Sequence, residues 1–433
     1  MKLKNVVIVD GVRSPFSWGG RGMFEATRMD EVGAKVIKAL MERNPKVKPG
    51  MIQDFGIGNV VGDMDLAFNK AISRMAGLPE ELGCFSTNRE CGSSMDTMQR
   101  IATSIMVGAI DTGIAFGIER LGRSLAMPPL EGTTRVTGWN PKMNEQAPHQ
   151  RNMAADHSKY FSVPIPDGIL DAPPNLPMPQ TAQNVVDMYG LTREEMDEFT
   201  VRSHKKLAAA YAAGNYKDEV IPLEVEKPVF NEAKQWDENE KGEMVLFDQD
   251  ECLRADCSVD GLGKLNPIRG LISFVGGEVR VTAGNSCPTN SGASAILLMS
   301  EEKALELGLE PLARIVGMGV GGVKGQIMGL GPIPASMNAM KHAGITSDQI
   351  DRVEFNEAFA AQVIPSLKEL KISEDKVNVN GGSLGIGHPL GATGARLVMT
   401  VAKELRRSGG RYGLATQCIG SGQGISTIIE ALH

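Results

Sequence analysis

Two cysteines, a histidine and an asparagine stand where reactive groups are useful. Cys91 follows Asn88-Arg89-Glu90 and precedes Gly92-Ser93-Ser94, where an amphipathic helical pattern begins. A helix start carries unpaired N–H groups and partial positive charge, both of which favour a thiolate. The position therefore suits a nucleophile of lowered pKa, against the plainer reading of a small buried residue. His388 lies in NGGSLGIGHPLGATG, the most glycine-rich stretch, and Pro389 fits a first helical position. That leaves two roles: a base beside a thiol, or part of a glycine run that cradles phosphate. Cys418, in TQCIGSGQG, ends an apolar run. The turn after it can aim N–H groups at an oxyanion, and the alternative for the cysteine is packing. In Asn356-Glu357-Ala358-Phe359-Ala360, Asn356 is suited to hold a water or an oxyanion, or to cap a helix, and Glu357 to orient a histidine.

These residues need elements to carry them. Val6–Val9 reads as a strand buried on both faces, and 55–61 and 114–118 as further strands. Helical spacing runs through 29–41, and through Met95, Met98, Ile101, Ile105 and Met106. From Leu121 to Pro179 prolines cluster, Pro128 and Pro129 among them, and periodicity fades; a loop that long is usually functional. Thr192 and Glu195 form a capping-box signature ahead of Phe199, Leu207 and Tyr211. Residues 224–251 are polar and charged. The second half alternates again: strands at 313–320, 353–355, 377–380, 411–417 and 425–432, helices at 334–343, 346–351 and 390–408. Cys91 and His388 each open a helix that ends at glycine and feeds a strand, which fits two duplicated α/β halves or the chance recurrence of a pattern common in α/β proteins.

The bulk numbers exclude several classes. The chain has 433 residues and is 42% hydrophobic, enough for a large core without disulfides. A net charge of −7 argues against nucleic acid or an anionic membrane surface as the main partner. Six cysteines without a CxxC pair read as reduced thiols, not as a disulfide frame or a zinc site. No run of 18 apolar residues appears, and the N-terminal apolar run is too short for a signal peptide. A soluble, cytoplasmic protein is expected.

Together the motifs resemble the thiolase family over nearly the whole chain. VDGVRSPF is similar to the family's first strand and turn, NRECGSS to its nucleophile segment, VTAGNSCPTNSGASA to its middle segment, and GLGPIPA to the loop after it. NEAFA, GHPLGATGAR and CIGSGQG are similar to its three C-terminal motifs. The resemblance implies a five-layer αβαβα fold built from two duplicated halves, with an inserted loop domain. By position, residues 1–120 would be the N-terminal half, 121–251 the insertion covering coenzyme A (CoA), 252–295 the return, and 296–433 the C-terminal half.

It also implies roles. Cys91 would be acylated, His388 would activate it, and Cys418 would move the α-proton. Asn356, through a water, would form one oxyanion hole with His388; the backbone N–H groups of Cys91 and Gly420 would form the other. Ala358 and Phe359, with Met178 and Ser286, would contact substrate or CoA. Arg202, Lys205 and Lys206 would meet CoA phosphates or form a solvated helix face. CoA and acyl-CoA would be substrates, with no bound cofactor and no metal. A homodimer or homotetramer is implied, and some relatives pair with a hydratase–dehydrogenase subunit.

Three features depart from the family pattern: Leu176-Pro177-Met178 lacks the usual histidine, Ser421 interrupts a glycine run, and Ser291 stands where Asp is common. The rival functions are a condensing synthase of the same superfamily, against which Cys418 argues, and a catalytically silent acyl-CoA-binding subunit, against which the full reactive set argues.

Overall fold

The computed structural model describes residues 3–61, 66–121, 159–233, 236, 237 and 239–432. Pro128 and Pro129 lie outside them. Strands β1 (Val6–Arg13), β3 (Asp54–Gly58), β4 (Gly83–Thr87), β5 (Thr112–Arg120) and β8 (Asn290–Ser300) make one half of the main sheet, in the order β1-β8-β5-β3-β4, and β2 (Ser17–Trp18) pairs with β8. Strands β9 (Ala313–Gly322), β10 (Arg352–Phe355), β11 (Tyr412–Ile419) and β12 (Gln423–Ala431) make the other half, in the order β9-β12-β11-β10. Each half starts with two antiparallel steps; the first continues with two parallel steps and the second with one. The two join where Val7 faces Arg314 and Ile8 faces Ala313.

Helices fill the remaining layers. Alternation along β1 shows how. Val6 and Ile8 belong to a core shared with α3 (Ser93–Met106), the helix α8 (Leu390–Ser408), and β11 and β12. Val7 and Val9 belong instead to an outer core with α1 (Met29–Arg43) and Ile72 of α2 (Leu66–Met75). The opposite outer face of the second half is covered by α4 (Met178–Tyr189), α5 (Arg193–Ala213), α6 (Pro332–Ala343) and α7 (Ala360–Leu370). Read across, the layers are αβαβα, with α3 and α8 in the middle. A period-2 pattern that is apolar on both faces is what a sheet between two helix layers requires.

The middle layer is tight because glycines sit at the crossings. A Cβ on Gly394 of α8 would lie 2.5 Å from the Met95 nitrogen, and one on Gly117 of β5 would lie 2.3 Å from the Gly391 oxygen. Only a residue without a side chain lets these backbones approach.

Several expectations need correction. The helix expected over 346–351 is a single 3-10 turn, Ser347–Gln349, with Thr346 and Gln349 forming a capping box. The Asp351 N–H then donates to Tyr412, which draws the chain into β10. The strand expected over 377–380 does not form. Asn378 has a φ of 45°, and its side chain replaces a strand at the edge of β10, accepting from the Phe355 N–H at 2.8 Å and donating to the Phe355 carbonyl at 2.9 Å. The charged stretch after Glu224 contains a ribbon of β6 (Leu223–Glu226) and β7 (Met244–Phe247), whose Val225 and Phe247 reach the first outer core. β8 carries unbroken pairing to β5 from Ser291 to Met299, so the change of half expected at 296 falls inside a strand.

Candidate active site

The reactive residues sit at the ends of the two middle helices. α3 begins at Ser93, two residues after Cys91, and α8 begins at Leu390, two residues after His388. In both places the preceding residue has positive φ: Glu90 at 46° and Gly387 at 108°. A left-handed residue turns the chain sharply before the helix and presents the next side chain at its mouth. β11 runs between these points and ends with Cys418 and Ile419, whose side chain would meet a Cβ on Gly92 at 2.7 Å. Gly420 follows, buried, and a Cβ there would lie 3.3 Å from Glu90.

One cavity of about 480 Å³ collects Cys91, His388 and Cys418, together with Met178, Ser286, Ala358 and Phe359. All three sequence-expected reactive side chains, and all four expected contact residues, line it. Asn356 lies just behind, with its Nδ2 3.3 Å from His388 Nε2. Asn356 is not a helix cap, because Phe359 occupies that position for α7.

The hydrogen bonds fix the His388 tautomer. The Thr393 hydroxyl donates to the Pro389 carbonyl at 2.8 Å, so its oxygen is left to accept from His388 Nδ1–H, also at 2.8 Å. Nε2 therefore carries the lone pair and faces Asn356 and the cavity. Glu357 does not orient the histidine. Its carboxylate is buried among Ser203 Oγ at 2.6 Å, Asn378 Nδ2 at 2.7 Å and the Leu384 N–H at 3.1 Å, and it ties α5 to the loop before His388. Thr393 takes the expected role, one turn into the helix that His388 precedes.

Burial dominates the electrostatics. The Cys91 thiol is held well above the ordinary range by burial, with Cys418, Glu90 and Cys287 adding to the rise. This corrects the expectation of a lowered pKa: the helix start is there, but desolvation outweighs it. Cys418 is pushed up to about 11 by burial, against the opposing effect of its hydrogen bond to Gln362 Oε1 at 3.4 Å. His388 is pushed down to about 3 by burial and by Arg396. Burial thus favours the neutral form of both thiols and of the imidazole.

Other residues were not singled out from sequence for this site. Gln362 joins Cys418 to the Asn356 backbone, donating to its carbonyl at 3.0 Å. Asn290 accepts from the His388 N–H at 2.8 Å and donates to Cys252 Sγ at 3.0 Å. Cys252 and Cys287 add two more thiols to the cavity wall, and the Cys287 N–H donates to Ala358 at 2.9 Å. Their motifs were visible, but the contacts join segments up to a hundred residues apart. Arg202 and Lys206 are engaged elsewhere, with Glu374 at 2.7 Å and the Val377 carbonyl at 3.0 Å. Lys205 is exposed on the same helix. None of the three lines the cavity. Arg21, stacked over Trp18 at 4.2 Å, and Arg254 do. Among the described residues no His, Cys, Asp and Glu cluster could hold a metal, and no helix is long and apolar enough to cross a membrane.

A buried thiol at a helix mouth, lining the same apolar chamber as an imidazole with one unprotonated nitrogen, suits transfer of an acyl group through a thioester. The protein is an acyltransferase. Its sequence matches the model of the thiolase N-terminal domain over residues 6–302 and that of the thiolase C-terminal domain over 309–431. The chain belongs to the thiolase family. It is 37% identical over 433 aligned residues to a 3-ketoacyl-CoA thiolase of Vibrio vulnificus, covering 99% of this chain and 100% of that protein. It is 38% identical to one of Alcanivorax borkumensis, covering 99% and 98%. Among solved structures, the acetyl-CoA acetyltransferase of Bacillus anthracis superposes with a TM-score of 0.81 at 32% identity, covering all of both chains. Human mitochondrial 3-ketoacyl-CoA thiolase superposes with a TM-score of 0.80 at 29% identity, again covering both chains in full.

Proposed function

We propose that the chain cleaves a 3-ketoacyl-CoA with a second CoA, giving acetyl-CoA and a shortened acyl-CoA, and that it catalyses the reverse condensation through the same steps. The observation that carries this reading is the meeting of Cys91, His388 and Cys418, three residues from distant segments, in one cavity with apolar walls. His388 Nε2 takes the Cys91 proton as Sγ attacks the keto carbon. The resulting oxyanion is met by the backbone N–H groups of Cys91 and Gly420. The bond between C2 and C3 then breaks, and its electron pair forms the enolate of acetyl-CoA. His388, now carrying the proton on Nε2, and a water on Asn356 bind the enolate oxygen, while Cys418 donates its proton to C2. A second CoA thiol gives its proton to the Cys418 thiolate and attacks the acyl group on Cys91. The acyl group leaves as acyl-CoA, and Cys91 recovers its proton from His388. Two thiols held neutral at rest suit this shuttle, since each gives up a proton only as a bond forms.

Met178, Ser286, Ala358 and Phe359 would line the path of the pantetheine arm, and residues 121–251 would form the inserted domain over CoA. A homodimer or homotetramer fits β4, which ends the sheet among the described residues, with a hydratase–dehydrogenase subunit as a further partner and a cytoplasmic setting. The test is a 3-ketoacyl-CoA series of increasing chain length with and without free CoA, following loss of the enolate absorbance. Consumption should require CoA and vanish in Cys91→Ala. Cys418→Ala should retain acyl exchange between acyl-CoA and CoA but lose cleavage. Activity surviving in Cys91→Ala would overturn the reading.

A further inference from the structure

Behind Asn356 lies a one-way chain of hydrogen bonds that the reaction steps above do not use. An asparagine amide fits a pocket in two orientations, and only one presents N–H to His388. The neighbours on its far side choose between them. Arg396, fully buried on α8, donates Nη1 to Glu354 at 2.6 Å and Nη2 to Ser383 Oγ at 2.7 Å. A guanidinium has no acceptor, so the Ser383 oxygen receives that bond and its own proton must point elsewhere. It points at Asn356 Oδ1, 2.6 Å away. With Oδ1 fixed there, Nδ2 is turned to His388 Nε2. Glu354, Arg396, Ser383 and Asn356 are all buried, so no bulk water competes for these positions.

We propose that Ser383 and Arg396 are positioning residues that lock the Asn356 amide with its N–H groups toward the oxyanion site, and so serve the carbon–carbon step but not acyl transfer. This rests on the reading that Asn356 and His388 bind the enolate oxygen. The direction matters as well as the geometry: each donor in the chain is polarised by the one behind it, starting from a full positive charge. In the absence of Ser383 the amide is free to rotate, and the water it holds against the enolate oxygen loses its fixed N–H partner.

The test uses two half-reactions of the whole protein. Exchange of labelled CoA into acetyl-CoA needs Cys91, His388 as its base and the oxyanion hole of the Cys91 and Gly420 N–H groups; cleavage of acetoacetyl-CoA needs the enolate site too. In Ser383→Ala, cleavage should fall ~10- to 100-fold, up to the size of effect a lost oxyanion donor produces. Exchange should stay within about 3-fold of the parent, below the loss expected from a misplaced transition-state contact. Because Ser383 acts through Asn356, Ser383→Ala should cost nothing further in an Asn356→Ala background. Should Ser383→Ala not fold, Arg396→Lys, which keeps the charge and loses the fork, should give the same split. Equal losses in both half-reactions, no loss in either, or additive losses with Asn356→Ala would overturn the proposal. If the parent protein shows no exchange at all, it is the functional reading that fails.

Discussion

The two halves present their reactive residues in the same way and hold them differently. In each, a residue of positive φ precedes the reactive one, and a middle-layer helix begins two residues later. Cys91 is then anchored through its backbone, whose carbonyl accepts from Gln417 Nε2 at 2.6 Å. His388 is anchored through its ring, with Thr393 on one nitrogen and Asn356 on the other. A nucleophile must accept an acyl group and turn with it, so a bond to its sulfur would be in the way. A base must keep one tautomer through every turnover, so its ring has to be fixed. On the proposed mechanism the two helix mouths differ in their partners because one holds the acyl carrier and the other the proton acceptor.

Three experiments break or sharpen this contrast. The largest effect concerns the Cys91 thiol. Because burial holds it protonated, its alkylation by iodoacetamide should keep rising with pH past 9, roughly tenfold per unit while the thiol stays protonated. Loss of acyl exchange is the readout, in the Cys418→Ala background that keeps exchange, and peptide mapping separates Cys91 from Cys252 and Cys287 on the same cavity wall. A plateau below pH 7 would mean a resting thiolate–imidazolium pair, and the carrier would be pre-ionised after all. Next is the ring anchor: Thr393→Ala frees Nδ1 and permits the wrong tautomer, and kcat should fall about 10-fold or more with KM little changed. An unchanged kcat would show that the histidine needs no such anchor. The smallest effect is structural and tests the shared layer. In Gly394→Ala, the new Cβ would sit 2.5 Å from the Met95 nitrogen, so α3 and α8 must part. Stability in denaturant should fall by ~1–3 kcal/mol, typical of overpacking. A neutral result would mean the two helices are less closely coupled than the crossing implies.

The sequence made the middle layer legible and left other parts obscure, for physical reasons. The pattern over 390–408 matches α8 to the residue because its apolar face, Leu397, Val398, Val401, Ala402 and Leu405, is all buried. The Thr192 capping box likewise starts α5 as read. The pattern around Asn378 predicts a strand, because an amide that imitates a strand edge leaves no mark in hydrophobic period. β8 was not read as a strand although its side chains are wholly buried, since Ser291, Gly292 and Ser294 interrupt the apolar run. For the site, residue types and glycine neighbours pointed to Cys91, His388 and Cys418. Their pKa directions could not be read, because desolvation depends on the closed cavity and not on local sequence. Thr393 and Ser383 were also missed: ordinary hydroxyls become informative only when their donors and acceptors can be counted.

The deciding measurement is mass spectrometry of the protein quenched in acid after brief exposure to acetyl-CoA, followed by peptide mapping. One acetyl group should be found on the peptide bearing Cys91, in the parent and in Cys418→Ala, and should be released by free CoA. An acetyl group on Cys418 or Cys287 in its place, or none on any cysteine, would contradict the assignment of Cys91 as the acyl carrier.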